Sequence, residues 1–280
     1  MKLIKFLIVI YLIITSILYA QTNIQPGLYI RGHLDGYFFP YLDGGGQLSL
    51  YYRFITDVFP GYIWEGIRTD VGISDHLDAE RNKLKIYVDS SISKYFNINT
   101  SVALVNYYTS AKRGFVNFDS SNIAVNTDAI NKALKTDNTS FEAEITPTFI
   151  LPLFDNLFDG TGLILQAGLT FKYAYINRGK YFLDYELLLV REQNDVSYKL
   201  DSLILFDLSP LAVGINYMLA YMNNTKQLWH SIGAYAHFEY EFLSRFYTEV
   251  NLKIGQYISH PSFTGKLYFN MDAGLVFKII

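Results

Sequence analysis

Cysteine is absent from the 280 residues. That excludes a disulfide framework, a thiolate metal site, a cysteine nucleophile and a lipid anchor carried on cysteine. Charge is also sparse: 18% of residues are charged and the formal net charge is −3, which argues against nucleic acid as a partner. Beyond residue 20 no apolar run reaches the roughly 18 residues that a membrane-spanning helix needs. The mean hydropathy, +0.13, is too low for a bundle of such helices. Aromatic residues are plentiful instead, with 24 Tyr and 21 Phe making most of a 17% aromatic fraction.

The first twenty residues account for part of the apolar content. Lys2 and Lys5 precede the apolar stretch FLIVIYLIITSIL, residues 6–18, which is followed by Leu-Tyr-Ala and Gln21. A positively charged start, a short apolar core and a small residue at the end are the parts of a secretory signal peptide, here cut after Ala20. Loss of the two lysines would take the formal charge from −3 to about −5. The chain then divides into 1–20, signal peptide, and 21–280, the mature domain.

The mature segment alternates with period two, again and again. In FYTEVNLKIGQYI (246–258), Phe246, Val250, Leu252 and Ile254 share one face while Glu249, Asn251 and Lys253 take the other. In KLYFNMDAGLVFKII (266–280), Leu267, Phe269, Met271, Ala273, Leu275, Phe277 and Ile279 oppose Lys266, Asn270, Asp272 and Lys278. The pattern predicts strands at 27–39, 47–59, 61–74, 83–93, 97–109, 140–151, 162–176, 197–208, 211–223, 228–243, 246–258 and 265–280. Connections alternate between short turns and longer loops. Both long loops, 110–139 and 177–196, fall on the side opposite the termini. An all-β, antiparallel transmembrane barrel of about twelve strands has this layout, with an apolar outer face against lipid and a polar lumen. Sliding the last strand by one residue would place Lys266, Asp272 and Lys278 in hydrocarbon, at roughly 2–4 kcal/mol per lysine at mid-depth, so the register is specified. Glu65 alone breaks the alternation; a bulge at Gly66 would return it to the lumen. Aromatics collect near the strand ends, as in the two interfacial girdles of such barrels. Phe38, Tyr108, Phe141, Tyr175, Tyr198 and Tyr221 mark one end, and Phe59, Phe149, Phe206, Phe242, Phe246 and Phe277 the other.

With its last strand ending DAGLVFKI, residues 272–279, the chain resembles the bacterial outer-membrane β-barrel superfamily of porin-like proteins. Asp272, Gly274, Phe277 and Ile279 match the spacing of the C-terminal assembly signal. The resemblance implies that the barrel assembly machinery reads this strand, that outer-membrane lipid surrounds the barrel, and that the bacterial outer membrane is its destination. Many members end on Phe where this chain ends on Ile280.

Alternation places Arg31, Arg53, Arg68, Lys83, Lys85, Glu142, Glu144, Lys172, Asp201, Asp207, Glu239, Glu241, Glu249 and Lys253 in the lumen as pore-lining candidates. Asp35, Asp57, Asp70, Asp89, Lys199, Lys266, Asp272 and Lys278 point the same way. Buried charges must be paired or wet. These either lock the lumen shut or line a narrow water path, with one wall more negative than the other. In general porins the third external loop narrows the pore; by analogy loop 110–139 brings Lys112 and Arg113 to a constriction, or else caps the barrel outside. TDAINKAL (127–134) has helical spacing, and YFLDYELLLVRE (181–192) is too apolar for a free loop, so it extends a hairpin or packs over the mouth. No Ser–His–acid arrangement, metal-ligand spacing, phosphate loop or dinucleotide fingerprint is present, so no catalytic residue, metal or cofactor is assigned. The expected function is a narrow channel for small polar solutes. The alternative is a surface-exposed adhesin or structural barrel with a closed lumen, acting through its long external loops.

Overall fold

A computed structural model describes residues 25–39, 43–56, 67–109, 114–123, 125, 127–155, 161–208, 210–243 and 245–280. The signal-peptide assignment, Asp57, Glu65 with its bulge, and Lys112 and Arg113 lie outside the described residues.

Twelve strands close an antiparallel barrel. In chain order they are β1 (Gly27–Phe39), β2 (Asp43–Thr56), β3 (Ile67–Asp78), β4 (Arg81–Ser93), β5 (Phe96–Tyr107), β8 (Asn138–Asp155), β9 (Gly162–Ile176), β12 (Asn194–Asp207), β13 (Leu211–Met222), β14 (Leu228–Leu243), β15 (Phe246–Ser259) and β16 (Leu267–Lys278). Each pairs with its neighbours in the barrel, and β1 closes on β16 from Tyr29↔Lys278 to Phe39↔Phe269. Closure leaves no strand edge without hydrogen-bond partners, which is the condition for a sheet in hydrocarbon.

Periodicity locates all twelve, and the bounds of β1, β9 and β14 coincide with those expected. The second and third strands differ most. β2 begins four residues earlier than the expected 47, because Gly44, Gly45 and Gly46, poor strand formers alone, are held by pairing to Gly36, Asp35 and Leu34. The expected third strand, 61–74, has its first six positions outside the described residues and runs four residues further than expected: β3 covers 67–78, so that Asp75, His76, Leu77 and Asp78 pair with β2 and reach the long-loop end. Lys266, expected in the last strand, lies in the turn before β16 and is exposed.

The two faces are cleanly sorted. Leu34, Leu48, Phe54, Ile73, Leu84, Ile86, Leu267 and Leu275 are exposed on the outside, where large apolar side chains would meet lipid. Their strand neighbours Tyr51, Arg53, Asp70, Ser74, Tyr268 and Val276 are buried within. Phe38, Phe141 and Tyr175 at one end, and Phe149, Phe206 and Phe242 at the other, are exposed on the outer wall as the girdle reading requires.

The long loops are not free. They contain β6 (Phe115–Phe118), the short helix α1 (Thr127–Lys132), β7 (Leu134–Thr136), β10 (Tyr181–Asp184) and β11 (Leu189–Glu192). These four strands form a second sheet in the order β11-β10-β6-β7. It packs among lumen-facing residues of the barrel at the long-loop end and constitutes a plug.

Candidate functional site in the lumen

The plug is held by apolar packing on both sides. Towards β5 and β9, Phe115, Val116, Phe118, Phe182, Leu183 and Val190 pack with Val105, Tyr107 and Ile176. Towards β13–β16, Leu187 and Leu189 pack with Met218, Met222, Trp229, Tyr257, Phe263 and Tyr268. A sheet buried on both faces needs no alternation, and β10 and β11 are buried in nearly continuous runs for this reason, the charged Asp184 and Arg191 pairing with each other within. Between them the chain turns at Tyr185–Leu188. Asp184 Oδ1 accepts the backbone N–H of Glu186 at 3.0 Å and of Leu187 at 2.9 Å, a side-chain turn of the kind Asp favours. Leu188 completes the turn with φ 52°. Trp229 Nε1 donates to the Leu187 carbonyl at 2.9 Å, tying the turn to β14.

The tip of this turn carries a carboxylate into a nest of cations. Glu186 lies 2.6 Å from Lys172 Nζ and 2.8 Å from Lys83 Nζ, with Arg81 Nη1 at 3.6 Å. Glu142 completes the nest, 2.8 Å from Lys83 and 3.3 Å from Lys172. Beside it Asp184 meets Arg191 Nη1 at 3.0 Å, and the buried Arg191 donates to Ser197 Oγ at 2.8 Å. Burial would raise the Glu186 carboxyl, but Lys172, Lys83 and Arg81 outweigh it and hold it well below the usual carboxylate range. Three of the expected lumen residues, Lys83, Glu142 and Lys172, thus converge on one point. The sequence pattern does not place Glu186 among them, because 177–196 reads as loop.

Below the plug the lumen opens into a chamber of about 360 Å³ at the short-turn end, lined by Arg31, Arg53, Arg68, Glu239, Glu241 and Glu249 with Tyr29, Tyr51, Tyr87 and Tyr247. Arg53 grips Asp70 through two hydrogen bonds of 2.8 Å and lies 4.8 Å over the Tyr29 ring, itself stacked on Tyr51. Arg68 pairs with Asp89 at 3.3 Å, and Arg31 spans to Glu249. Higher up, Lys253 meets Asp201 at 3.0 Å. Lys85 lies 5.6 Å from the Tyr87 ring, and Glu144, on β8, shares the lumen face with Glu142. Asp207 closes β12 at the short-turn end. A smaller recess of about 130 Å³ runs beside the plug tip, between Glu186 and Leu187 on one side and Tyr37, Lys199, Lys253, Asn270 and Asp272 on the other. Loop 110–139 does fold towards the lumen, where β6 packs on Val105, Tyr107 and Ile176, and the β10–β11 turn brings Glu186 to Lys172 and Lys83.

Two histidines far apart in sequence share one row. Gln47 on β2 faces His33 on β1 and His76 on β3. His76 Nε2 lies 2.9 Å from Asp35, and His33 Nε2 3.3 Å from Asp272. Asp35 and Asp272 are themselves directly opposite across the β1–β16 seam. Gly45 makes the row possible: a Cβ there would lie 2.5 Å from His76 Nε2. On the outer wall, His230 stays beside Tyr217 while Ser231 is buried on the lumen side, so strand alternation keeps the two apart. His237, Glu239 and Glu241 do share the lumen; His237 Nδ1 lies 2.7 Å from Asn251 and its Nε2 3.7 Å from Glu239.

One cluster has metal-like composition, where sequence spacing assigns none. Asp43, Asp78 and Glu80 bring one carboxylate oxygen each within 4.8 Å of one another at the long-loop end. Asp78 is already engaged there, accepting the backbone N–H of Glu80 and Arg81 and the Arg81 Nε–H at 2.7 Å.

No family model and no curated protein matches the chain. Among solved structures it is similar to the β domain of the Bordetella autotransporter Brka, with a TM-score of 0.55 at 9% identity over 91% of this chain and 99% of that one. It is also similar to the KdgM porin in complex with disordered oligogalacturonate, TM-score 0.41 at 12% identity over 90% and 99%. The NanC porin gives 0.40 at 7% identity over 90% and 100%. At such identities the likeness is one of fold. The chain has the antiparallel barrel fold of bacterial outer-membrane proteins, with no specific family among them.

Proposed function

We propose that this is an outer-membrane barrel that passes small polar solutes through a narrow lumen governed by the plug. In this reading residues 1–20 direct export and are removed. The last strand, with Asp272, Gly274, Phe277 and Ile279, addresses the chain to the barrel assembly machinery, and outer-membrane lipid surrounds the apolar wall. The observation that carries the reading is the cavity system: a charged chamber at one end and a recess of mixed polar and apolar lining beside the plug tip at the other. Side chains alone fill barrels of about eight strands; twelve strands enclose more, and here the plug leaves part of that space open.

Current through the full mature chain in planar bilayers tests the proposal. The native protein should give small conductance steps, and weakening the plug should raise them. A folded barrel that conducts nothing, with or without its plug contacts, would overturn the channel.

A second reading, a surface-interaction barrel with a closed lumen, draws on the apolar packing that binds the plug to both walls. Replacing residues 115–136 and 181–192 by short turns separates the two. Conductance of the intact protein belongs to the channel; an intact protein without conductance, whose surface binding is lost with these segments, belongs to the closed barrel.

A further inference from the structure

The chamber at the short-turn end is charged but balanced, with Arg245 and Lys278 adding to its cations beside the carboxylates of β14 and β15. Arg53 and Arg68 with Asp70 and Asp89 form one knot on β2–β4, tied by the hydrogen bonds and ion pairs among them. The guanidinium of Arg68 remains partly open, with 26% of its side chain accessible, although its Nε–H is covered and lies 3.6 Å from the nearest Asp70 oxygen. Arg31 on β1 is likewise covered at Nε and open over 38% of its side chain.

The opposite pole lies on β14 and β15. Glu239 and Glu249 are directly opposite one another across that pair of strands. Two like charges in that position destabilise a sheet unless cations compensate. Arg31 compensates Glu249. Among the described residues Glu239 meets only the more distant His237, at 3.7 Å, and over a third of its side chain is open. In the order β14-β15-β16-β1-β2-β3, Glu239 and Arg68 stand five strand spacings apart around a ring of twelve. They therefore face each other almost across the lumen.

We infer that this chamber binds and orients zwitterionic solutes, small molecules carrying an ammonium and a carboxylate, as free α-amino acids do. The inference rests on the channel reading and names its solute class. The ammonium meets Glu239, beside Glu249. The carboxylate meets the open edges of the Arg68 and Arg31 guanidinium groups, which stay charged at every accessible pH. An ion of a single sign gains at one pole and is repelled at the other; a neutral solute forgoes both. Close charge contacts at an effective dielectric near 20 amount to several kcal/mol before desolvation, enough to sort solutes that differ only in charge. The cavity, at about 360 Å³, falls at the small end of the roughly 300 to 1,000 Å³ typical of ligand sites.

The test uses four isosteres: alanine, isobutyrate, alaninamide as its ammonium, and isobutyramide. Their entry into liposomes carrying the full mature barrel is followed by swelling. Alanine should enter at least several-fold faster than the amide, and the two single-sign ions slower than alanine. Glu239→Gln should abolish that preference while the amide enters as before. Arg68→Gln leaves Asp70 and Asp89 undercompensated and can misfold, so Arg68→Lys, which keeps the charge and loses the fork, accompanies it; it should reduce the preference in part. Equal entry of all four solutes would overturn the zwitterion inference and leave the channel standing. If none enters, the channel reading fails, and saturation-transfer NMR of the four solutes on the detergent-folded barrel decides the site alone. An alanine signal that is present in the native barrel and disappears in Glu239→Gln would uphold the site, and no preference for alanine would overturn it.

Discussion

Glu186, at the tip of the β10–β11 turn, lies 2.6 Å from Lys172 Nζ on β9. It joins Lys172 to Lys83 and Arg81 on β4, and so ties the plug tip to two strands of the barrel wall. Removing one member of a buried ion cluster typically costs 3–5 kcal/mol, because its partners are left uncompensated. Glu186 keeps about a third of its side chain open, so solvent screening lowers that figure to about 1–3 kcal/mol here. Glu186→Gln is therefore expected to loosen the plug without unfolding the barrel. Single-channel conductance should rise, and trypsin should cut after Lys180 or Arg191 faster than in the native protein. Unchanged current together with unchanged cleavage would show that the apolar contacts alone seat the plug.

Acid should do at low pH what that substitution does at neutral pH. The Glu186 carboxyl is depressed in the folded state from an unfolded value near 4.3. Its contribution is fully present above the unfolded value and is lost as pH falls through the lower folded value. Plug-limited current should thus be constant from neutral pH down to about pH 5 and rise only well below 4.3. In Glu186→Gln the rise should be absent or strongly reduced. A current that already climbs between pH 7 and 6 would point to another group.

His260 predicts a second acid response, local to the turn between β15 and β16. Its Nδ1 accepts the backbone N–H of Ser262 at 3.0 Å and of Phe263 at 3.2 Å, which requires the unprotonated nitrogen. Burial pushes the imidazole down to about 4. The unfolded turn takes up its proton near pH 6.5, so the stabilising neutral form is complete above that value and its advantage drains away as pH falls towards 4. At full protonation the loss is about 3 kcal/mol by linkage. Trp229, whose ring centroid is 6.3 Å from that of His260, reports on it. In a Trp64→Phe background, tryptophan emission should titrate with a midpoint near 4 in the native turn, and not at all in His260→Asn.

These relationships are unevenly legible in the sequence. The barrel strands are readable because lipid outside and water inside impose opposite demands on adjacent residues, as Met271 and Asp272 show. β2 begins early because the Gly44–Gly46 segment owes its extended form to β1, a contact that local propensity cannot express. The plug strands escape a search for alternation: Phe182, Leu183, Val190 and Arg191 are all buried, so no face alternates. Only the excess of apolar residues in 181–192 signals that the segment is covered. Glu186 looks like any loop acid, since its partners Arg81, Lys83 and Lys172 come from other elements. The row of His33, Gln47 and His76 depends on the register of three strands, which spacing alone does not provide.

Gly274 offers a test of what the terminal segment contributes to the fold itself. It faces the lumen, and a Cβ at this position would lie 2.5 Å from Glu249 Oε1 and 2.9 Å from its Cγ. The glycine therefore leaves room for the carboxylate that Arg31 holds. Gly274→Ala should push Glu249 aside and cost about 1–3 kcal/mol, the range for overpacking a filled site. Failed assembly in cells would not distinguish this from lost recognition. Refolding from urea into detergent does, because no assembly machinery is present. The alanine variant should refold with reduced stability there, and adding Glu249→Ala should make the two changes non-additive, since the second removes the clash created by the first. Strict additivity of the two losses would mean that Gly274 serves something other than the Glu249 side chain.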